Sequence, residues 1–322
     1  MTTTIATVNH TPVDHRSPDH RIVSRQQWLA ERKALLAREK ELYAGIKDEI
    51  TGQTKAVSFA SELVDAARLY SAIRTPTHEF WKDYASPTRE NLDTLRLLDV
   101  SQSRPLLLAA MQQWKKAEIN KALKLLVSWS VRLVIVGGAG SGTTEAAFSK
   151  GAVDIRSGKI KDAKGLAKEF ASLVPDDADF ESQFAVARKR ARLARYLLHA
   201  LERAKGGTAS PELISNTDET TVDLEHVLPR DADLKADWPQ FSDEEHSAYL
   251  SRLGNLVLLS KTDNGALNAK GFEAKAKVYK QSKLKLTKDV GNKTKYPDWT
   301  TDAIKKRQKE LAALAVKTWP RA

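Results

Sequence analysis

The chain has 322 residues, a length that is enough for two domains of ordinary size. Hydrophobic residues make up 41% of it, which is enough for a packed core. It has no cysteine, which excludes disulfides, thiolate zinc sites and cysteine nucleophiles, and no apolar run is as long as a membrane span. The net charge of +11 favours a polyanionic partner, most commonly nucleic acid, and we expect a cytoplasmic protein that does not bind membranes.

The N-terminal part predicts a tail followed by a long helical region. Residues 1–21 are polar and lack the apolar core of a signal peptide, so we expect a disordered tail. Residues 22–204 then show mostly helical periodicity. The first helix is predicted over residues 24–50, because Ser24 and Gln27 fit a capping box. Its apolar positions, which we expect to face a core, are Trp28, Leu35, Leu36 and Leu42.

A glycine-rich run at residues 137–144 allows two interpretations. It follows an apolar segment and precedes a helix, as a phosphate-binding loop does. However, Thr143 stands where the pattern Gly-x-x-x-x-Gly-Lys-Ser/Thr requires lysine, and that lysine contacts the phosphates. We therefore favour a connection between two helices over a nucleotide site.

A cluster of basic residues lies near the end of the helical region, and Arg188 and Arg192 belong to it. The cluster predicts either a solvated helix face or a contact with the DNA backbone. Residues 205–221 are rich in Gly, Ser, Thr and Asn, and we expect them to link two domains.

The periodicity changes after this linker, and so does the charge. Residues 222–228 and 253–260 have the composition of short strands, whereas residues 263–280 and 301–318 return to helical spacing. The segment 223–263 has a net charge of −5 and the following residues one of +10. This arrangement suits a cation site beside a phosphate-binding surface, although two solvated faces of opposite sign would give the same pattern.

Four residues of this C-terminal part suggest a catalytic site. His226 ends the first strand, and a strand–strand–helix order would fold Asn264, in the first turn of the helix, back beside it. Glu225 and Asn264 offer the oxygen ligands that Mg²⁺ or Mn²⁺ prefers. A neutral His226 can take a proton from water, and Asn255 can orient the imidazole.

One difficulty concerns the strand itself. Neighbouring strand residues point to opposite faces, so Glu225 and His226 share one site only if the strand twists or ends there. Asp223 is an alternative ligand, because it shares a face with Glu225.

Here the sequence resembles a known family. The motifs are Glu225-His226-Val227-Leu228-Pro229, Gly254-Asn255-Leu256-x-Leu258-Leu259, Asn264 and Phe272-x-x-Lys275-x-x-x-Tyr279. Together they resemble the C-terminal HNH domain of GmrSD-type restriction endonucleases, which are modification-dependent enzymes of phage defence.

The resemblance implies a ββα-metal element with His226 as general base, Asn255 as the orienting residue, and Glu225 and Asn264 as metal ligands. It also implies that Lys275 contacts a phosphate, although a solvated lysine fits the sequence equally well, and Lys261 is a second candidate. Family members combine this nuclease with an NTP-hydrolysing sensor domain. That domain has no counterpart in this sequence, and a separate NTPase subunit is a candidate partner.

The sequence thus predicts a mainly α protein with two parts. A helical region at 22–204 precedes a nuclease domain at 222–322, which holds an HNH element flanked by helices. The predicted function is cleavage of double-stranded DNA with a divalent metal, and the resemblance adds modified DNA as a candidate substrate. The alternative is a catalytically idle remnant that binds DNA or regulates.

Overall fold

The computed structural model describes residues 24–137, 141–207, 222–260, 264, 267 and 270–322. Two compact units make up the chain, Met1–Val64 and Asp65–Ala322. Helices dominate both units, which confirms the prediction of a mainly α protein. Within the described ranges, no helix combines the length and the apolar character needed to cross a membrane.

The helices and strands follow one another in this order: α1 (Arg25–Glu49), α2 (Gln53–Arg74), α3 (Ser86–Leu97), α4 (Arg104–Gln113), α5 (Lys116–Val136), α6 (Ser141–Arg156), α7 (Ala163–Glu169), α8 (Asp177–Phe184), α9 (Ala191–Lys205), β1 (Val222–His226), α10 (Asp243–Tyr249), β2 (Leu256–Ser260), α11 (Phe272–Gln281), α12 (Lys285–Val290) and α13 (Thr301–Thr318).

The first unit contains α1 and the start of α2. Helix α1 begins where the sequence predicts, since the Ser24 hydroxyl accepts from the Gln27 amide at 3.2 Å and the Gln27 side chain accepts from the Ser24 amide at 3.0 Å. None of its residues is buried. The expectation that Trp28 anchors a core is therefore wrong, because the indole is 49% exposed.

Three apolar cores hold the second unit together. The first lies among α3–α7, where the rings of Trp129 and Phe170 stack at 5.4 Å. The second lies among α5, α8, α9 and α13 and encloses Trp319. The third packs β2 against α11 and surrounds Trp299.

The division predicted at residues 205–221 does not separate two domains. Residues on both sides of it share the second core, where Trp319 stacks on Phe184 with ring centroids 6.2 Å apart. Arg132 Nε also donates to the Trp319 carbonyl at 2.7 Å, and Trp129 Nε1 to the Arg321 carbonyl at 2.8 Å. Contacts between residues far apart in sequence thus join the two parts into one unit, and composition alone does not reveal them.

The glycine-rich run connects two helices, as predicted. Helix α5 ends at Val136 and is capped by Gly137, whose φ of +71° suits glycine, and α6 begins at Ser141. Residues 138–140 lie outside the described residues, as do the predicted tail at 1–21 and most of the predicted linker.

The two strands form one antiparallel pair that presents different side chains to the two neighbouring cores. The register runs from Val222 opposite Ser260 to His226 opposite Leu256. Because side chains alternate along a strand, Asp223 and Glu225 share one face, whereas His226 lies on the other. The two strands fit the predicted ββα element. Its helix stays a prediction, since only Asn264 and Leu267 of that segment are described, and both are helical.

Candidate active site

His226 is held at the end of β1 through its backbone. Its carbonyl accepts from Lys275 Nζ at 2.8 Å, and the amide of Val227 donates to the Asn255 carbonyl at 2.9 Å. The imidazole is half-buried, and it makes no hydrogen bond to any of the described residues. Burial lowers the pKa of His226 to about 4, and the positive charges of Arg230 and Lys275 add to this. The ring is therefore neutral near pH 7 and can accept a proton.

Glu225 forms a buried ion pair with Lys275. The Lys275 ammonium lies 2.5 Å from Glu225 Oε1, and the Tyr279 hydroxyl donates to the same oxygen at 3.4 Å. Burial raises the pKa of Glu225 and lowers the pKa of Lys275, and in both cases the ion pair opposes the effect of burial. Glu225 Oε1 is thus engaged by the protein's own groups.

The position of Lys275 differs from both expectations. Its side chain is 0% exposed, so it is neither a solvated lysine nor a lysine on the surface that DNA could contact. The reason is its place on α11, where Phe272, Lys275 and Tyr279 follow at helical spacing and all three are buried. In the structure, Lys275 neutralises Glu225 and binds the backbone of His226.

Asn264 lies against Asp223. Its amide nitrogen donates to Asp223 Oδ2 at 3.0 Å. The other carboxylate oxygen of Asp223, Oδ1, accepts from Arg195 at 2.9 Å and from the Leu224 amide at 2.7 Å. The structure thus brings Asn264 together with the alternative ligand, whereas no described contact joins it to Glu225.

This pair of residues has the chemistry of a divalent-cation site. Carboxylate and amide oxygens suit Mg²⁺, which keeps several waters and needs only one or two protein ligands. Asp223 is 40% exposed and open to solvent. The described residues contain no cluster of three or more His, Asp or Glu that could hold a metal. The two residues therefore fit a cation that is largely hydrated.

Asn255 does not have the geometry to orient the imidazole. Its Oδ1 accepts from the Leu228 amide at 2.8 Å and from Trp299 Nε1 at 3.0 Å. Its Nδ2 donates to the carbonyls of Leu228 and Leu250, both at 3.0 Å. All four bonds of the amide are made, so none remains for His226. Asn255 instead fastens the chain that follows β1 to the turn that precedes β2.

Two further residues support this turn, and the sequence analysis did not single them out for it. Arg307 is buried in α13 and donates to the carbonyls of Leu253, Gly254 and Leu256 at 2.7–3.1 Å. Gln308 accepts from the Gly254 amide at 3.3 Å. Their signal in the sequence is position, since both polar residues fall between the apolar Ile304 and Leu311 on the buried side of the helix.

The predicted DNA-binding residues fall into two groups. Arg188 and Arg192 are exposed, and the backbone of Arg188 pairs with Arg252 just before the Gly254 turn. Arg195, from the same basic cluster, is instead bound to Asp223 and to the Val222 carbonyl. Lys261 lies outside the described residues.

Comparison with known proteins identifies this part of the chain. Residues 174–314 match the family model described as GmrSD restriction endonucleases, C-terminal domain. This segment is a GmrSD-type C-terminal domain. No curated protein matches the chain.

The match includes both strands and the site residues from Asp223 to Arg307. It begins at residue 174, upstream of the predicted linker, in keeping with the shared core. The family description indicates a restriction endonuclease whose substrate is DNA.

The buried ion pair of the GmrSD-type domain predicts a large effect on stability. Lys275→Met should lower the free energy of unfolding by about 3–5 kcal/mol, because Glu225 is left buried without its counter-charge. Urea unfolding measures the loss. The exposed Lys277→Met on the same helix is the matched control and should change stability by less than about 0.5 kcal/mol.

The double variant Lys275→Met/Glu225→Gln should recover more than half of that loss, since no unpaired charge remains. Equal effects of Lys275→Met and Lys277→Met would contradict the assignment of Lys275 to the interior.

Proposed function

We propose that the GmrSD-type domain is an HNH endonuclease that hydrolyses double-stranded DNA with Mg²⁺ or Mn²⁺ and uses His226 as general base. Two observations support this, the neutral imidazole of His226 and the contact of Asp223 with Asn264. Because Asp223 and His226 lie on opposite faces of β1, the proposal requires the imidazole to turn toward Asp223 where the strand ends, at His226. The family match supports the substrate class and the nuclease activity.

In this proposal His226 accepts one proton, and other residues hold it in position. The unprotonated ring of His226 takes a proton from a water molecule as the water oxygen attacks phosphorus and the bond to the leaving sugar oxygen breaks. A bound phosphate brings negative charge, which raises the pKa of the ring and strengthens it as a base. Lys275 and Asn255 keep the strand end in place during this step through their bonds to the backbone.

Asp223 and Asn264 would hold the metal, whose positive charge, when bound, stabilises the phosphate oxygens and the leaving oxygen. Glu225, the ligand that the family resemblance implies, has its Oε1 bound by Lys275, which weakens its attraction for a metal. Arg188 and Arg192 would bind phosphates of the DNA backbone, since both are exposed cations of the domain.

The biological role proposed here is phage restriction directed at modified DNA, which rests on the family resemblance. The resemblance also makes a separate NTP-hydrolysing subunit a candidate partner, and the glycine-rich run at 137–144 is not itself the nucleotide site because it lacks the phosphate-binding lysine.

A second candidate is a catalytically idle remnant of such an enzyme, with a DNA-binding or regulatory role. The observation in its favour is that both carboxylates of the site are paired with cations of the chain itself, Asp223 with Arg195 and Glu225 with Lys275. Such pairs weaken the attraction of each carboxylate for a metal.

Removal of the base tests the proposed catalysis. His226→Ala should slow the nicking of plasmid DNA by on the order of 10²–10⁴-fold in Mg²⁺ or Mn²⁺, the usual contribution of a general base. EDTA should stop the wild type. His199→Ala, which removes a half-buried imidazole from α9, is the control and should nick at the wild-type rate. Equal rates for wild type and His226→Ala would leave only the second candidate.

Binding of Mn²⁺, followed by the loss of its free-ion electron paramagnetic resonance signal, tests the ligand assignment apart from activity. Asp223→Asn should weaken Mn²⁺ binding by roughly tenfold or more, because the site loses a charged oxygen ligand. The exposed Asp231→Asn is the control. A stronger effect of Glu225→Gln than of Asp223→Asn would overturn the assignment to Asp223.

The salt dependence of DNA binding tests the two arginines. In the His226→Ala background, Arg188→Gln/Arg192→Gln should weaken binding of a DNA duplex and reduce the slope of log K against log salt by about 2, one for each phosphate that the protein no longer neutralises. Fluorescence anisotropy measures both quantities. Arg89→Gln, exposed at the start of α3, should leave the slope unchanged. A slope that the double variant shares with the parent would place the DNA elsewhere.

A further inference from the structure

Helix α1 presents an apolar surface that the described residues of its own unit, 24–64, leave uncovered. The helix has 25 residues and no buried side chain. Its large apolar residues are between 42% and 68% exposed, and they are Trp28, Leu29, Leu35, Leu36, Leu42, Tyr43 and Ile46. Most helices in proteins owe their stability to packing of such a surface. We call these seven residues the α1 stripe.

The stripe repeats with a period of seven residues. The adjacent pairs Trp28–Leu29, Leu35–Leu36 and Leu42–Tyr43 follow one another at that interval. Seven residues are close to two helical turns, so the three pairs lie on one side of the helix. A strict period of seven is the pattern by which two helices wind around each other in a left-handed coiled coil. The stripe therefore fits another helix better than it fits a sheet or a flat surface.

Two charged residues on the same side of α1 indicate which helix could be the partner of the stripe. Arg32 and Glu39 lie between the apolar pairs on the same side, again seven residues apart. If two copies of α1 paired in parallel, Arg32 would face Arg32 and Glu39 would face Glu39, and such like charges repel. If the two copies paired antiparallel about a point between residues 35 and 36, Arg32 of each copy would face Glu39 of the other.

The same antiparallel register also matches the apolar residues. It places Trp28 level with Tyr43, Leu29 level with Leu42, and Leu35 level with Leu36 of the other copy. In this register residues 25–35, with three basic and one acidic residue, face residues 36–46, with two of each, and Glu31 lies level with Lys40 of the other copy. One surface of this chain is thus complementary to itself, which is the condition for a two-fold symmetric dimer.

We propose that α1 is a dimerisation helix that pairs antiparallel with α1 of a second copy of the chain. The pair is centred between Leu35 and Leu36 and covers the α1 stripe. Arg32 and Glu39 fix its direction and register, as charged residues do in coiled coils.

Charge reversal in the full chain tests the pairing, with sedimentation equilibrium over a dilution series as the measurement. The wild type should be a dimer. Arg32→Glu and Glu39→Arg should each weaken the dimer at least about tenfold, and the double reversal Arg32→Glu/Glu39→Arg should restore it. Ala37→Lys changes the opposite side of α1 and should leave the dimer intact. A monomeric wild type would overturn the proposal, and so would failure of the double reversal to restore the dimer.

The absence of cysteine makes a test of direction simple. With a short bis-maleimide, Leu36→Cys should crosslink two chains, because the two substituted positions lie almost level in the antiparallel pair. Trp28→Cys should not, because those positions would lie about 22 Å apart along the helix axis. Efficient crosslinking through Trp28→Cys would indicate a parallel pair and contradict the proposed direction. Neither measurement depends on nuclease activity, so the result is separate from the proposed function.

Discussion

The ion pair between Lys275 and Glu225 is the interaction on which the candidate site depends. It joins α11 to β1 in the interior of the protein, and the same ammonium binds the carbonyl of His226. Such a pair costs free energy to bury, and it becomes strongly unfavourable when one partner is missing. It therefore adds little net stability but permits few alternative positions for the end of the strand. Because His226 is the last residue of β1, its side chain is restricted to the same few positions.

A second set of bonds restricts the other side of the site. Asn255 fastens the chain after β1, and Arg307 binds three carbonyls around the turn before β2. Both side chains are buried, so these bonds do not compete with water. Buried polar contacts thus hold the backbone near Asp223 and Arg188, the residues that solvent can reach. This arrangement suits a site that must hold its geometry while it binds a highly charged substrate.

Much of the secondary structure follows from the sequence, because periodicity and capping act over a few residues. The start of α1 at Ser24, both strands and the span of α13 agree with the predictions. The partners of buried polar residues do not follow in this way. A lysine motif does not tell a phosphate from a buried carboxylate, and an asparagine beside a turn does not show which groups it binds. Those answers depend mostly on contacts between residues that lie far apart in the chain.

The attachment of the last residues to α5 has a consequence for synthesis on the ribosome. Trp129 binds the carbonyl of Arg321, 192 residues later, and Arg132 that of Trp319, 187 residues later. At 5–20 residues per second, α5 emerges on the order of 10–40 s before these partners exist. During that interval the surface of α5 that binds residues 319–321 is uncovered on the nascent chain. Completion of the core around Trp319 is therefore a late event, and a chaperone that shields α5 on the ribosome would act in that interval.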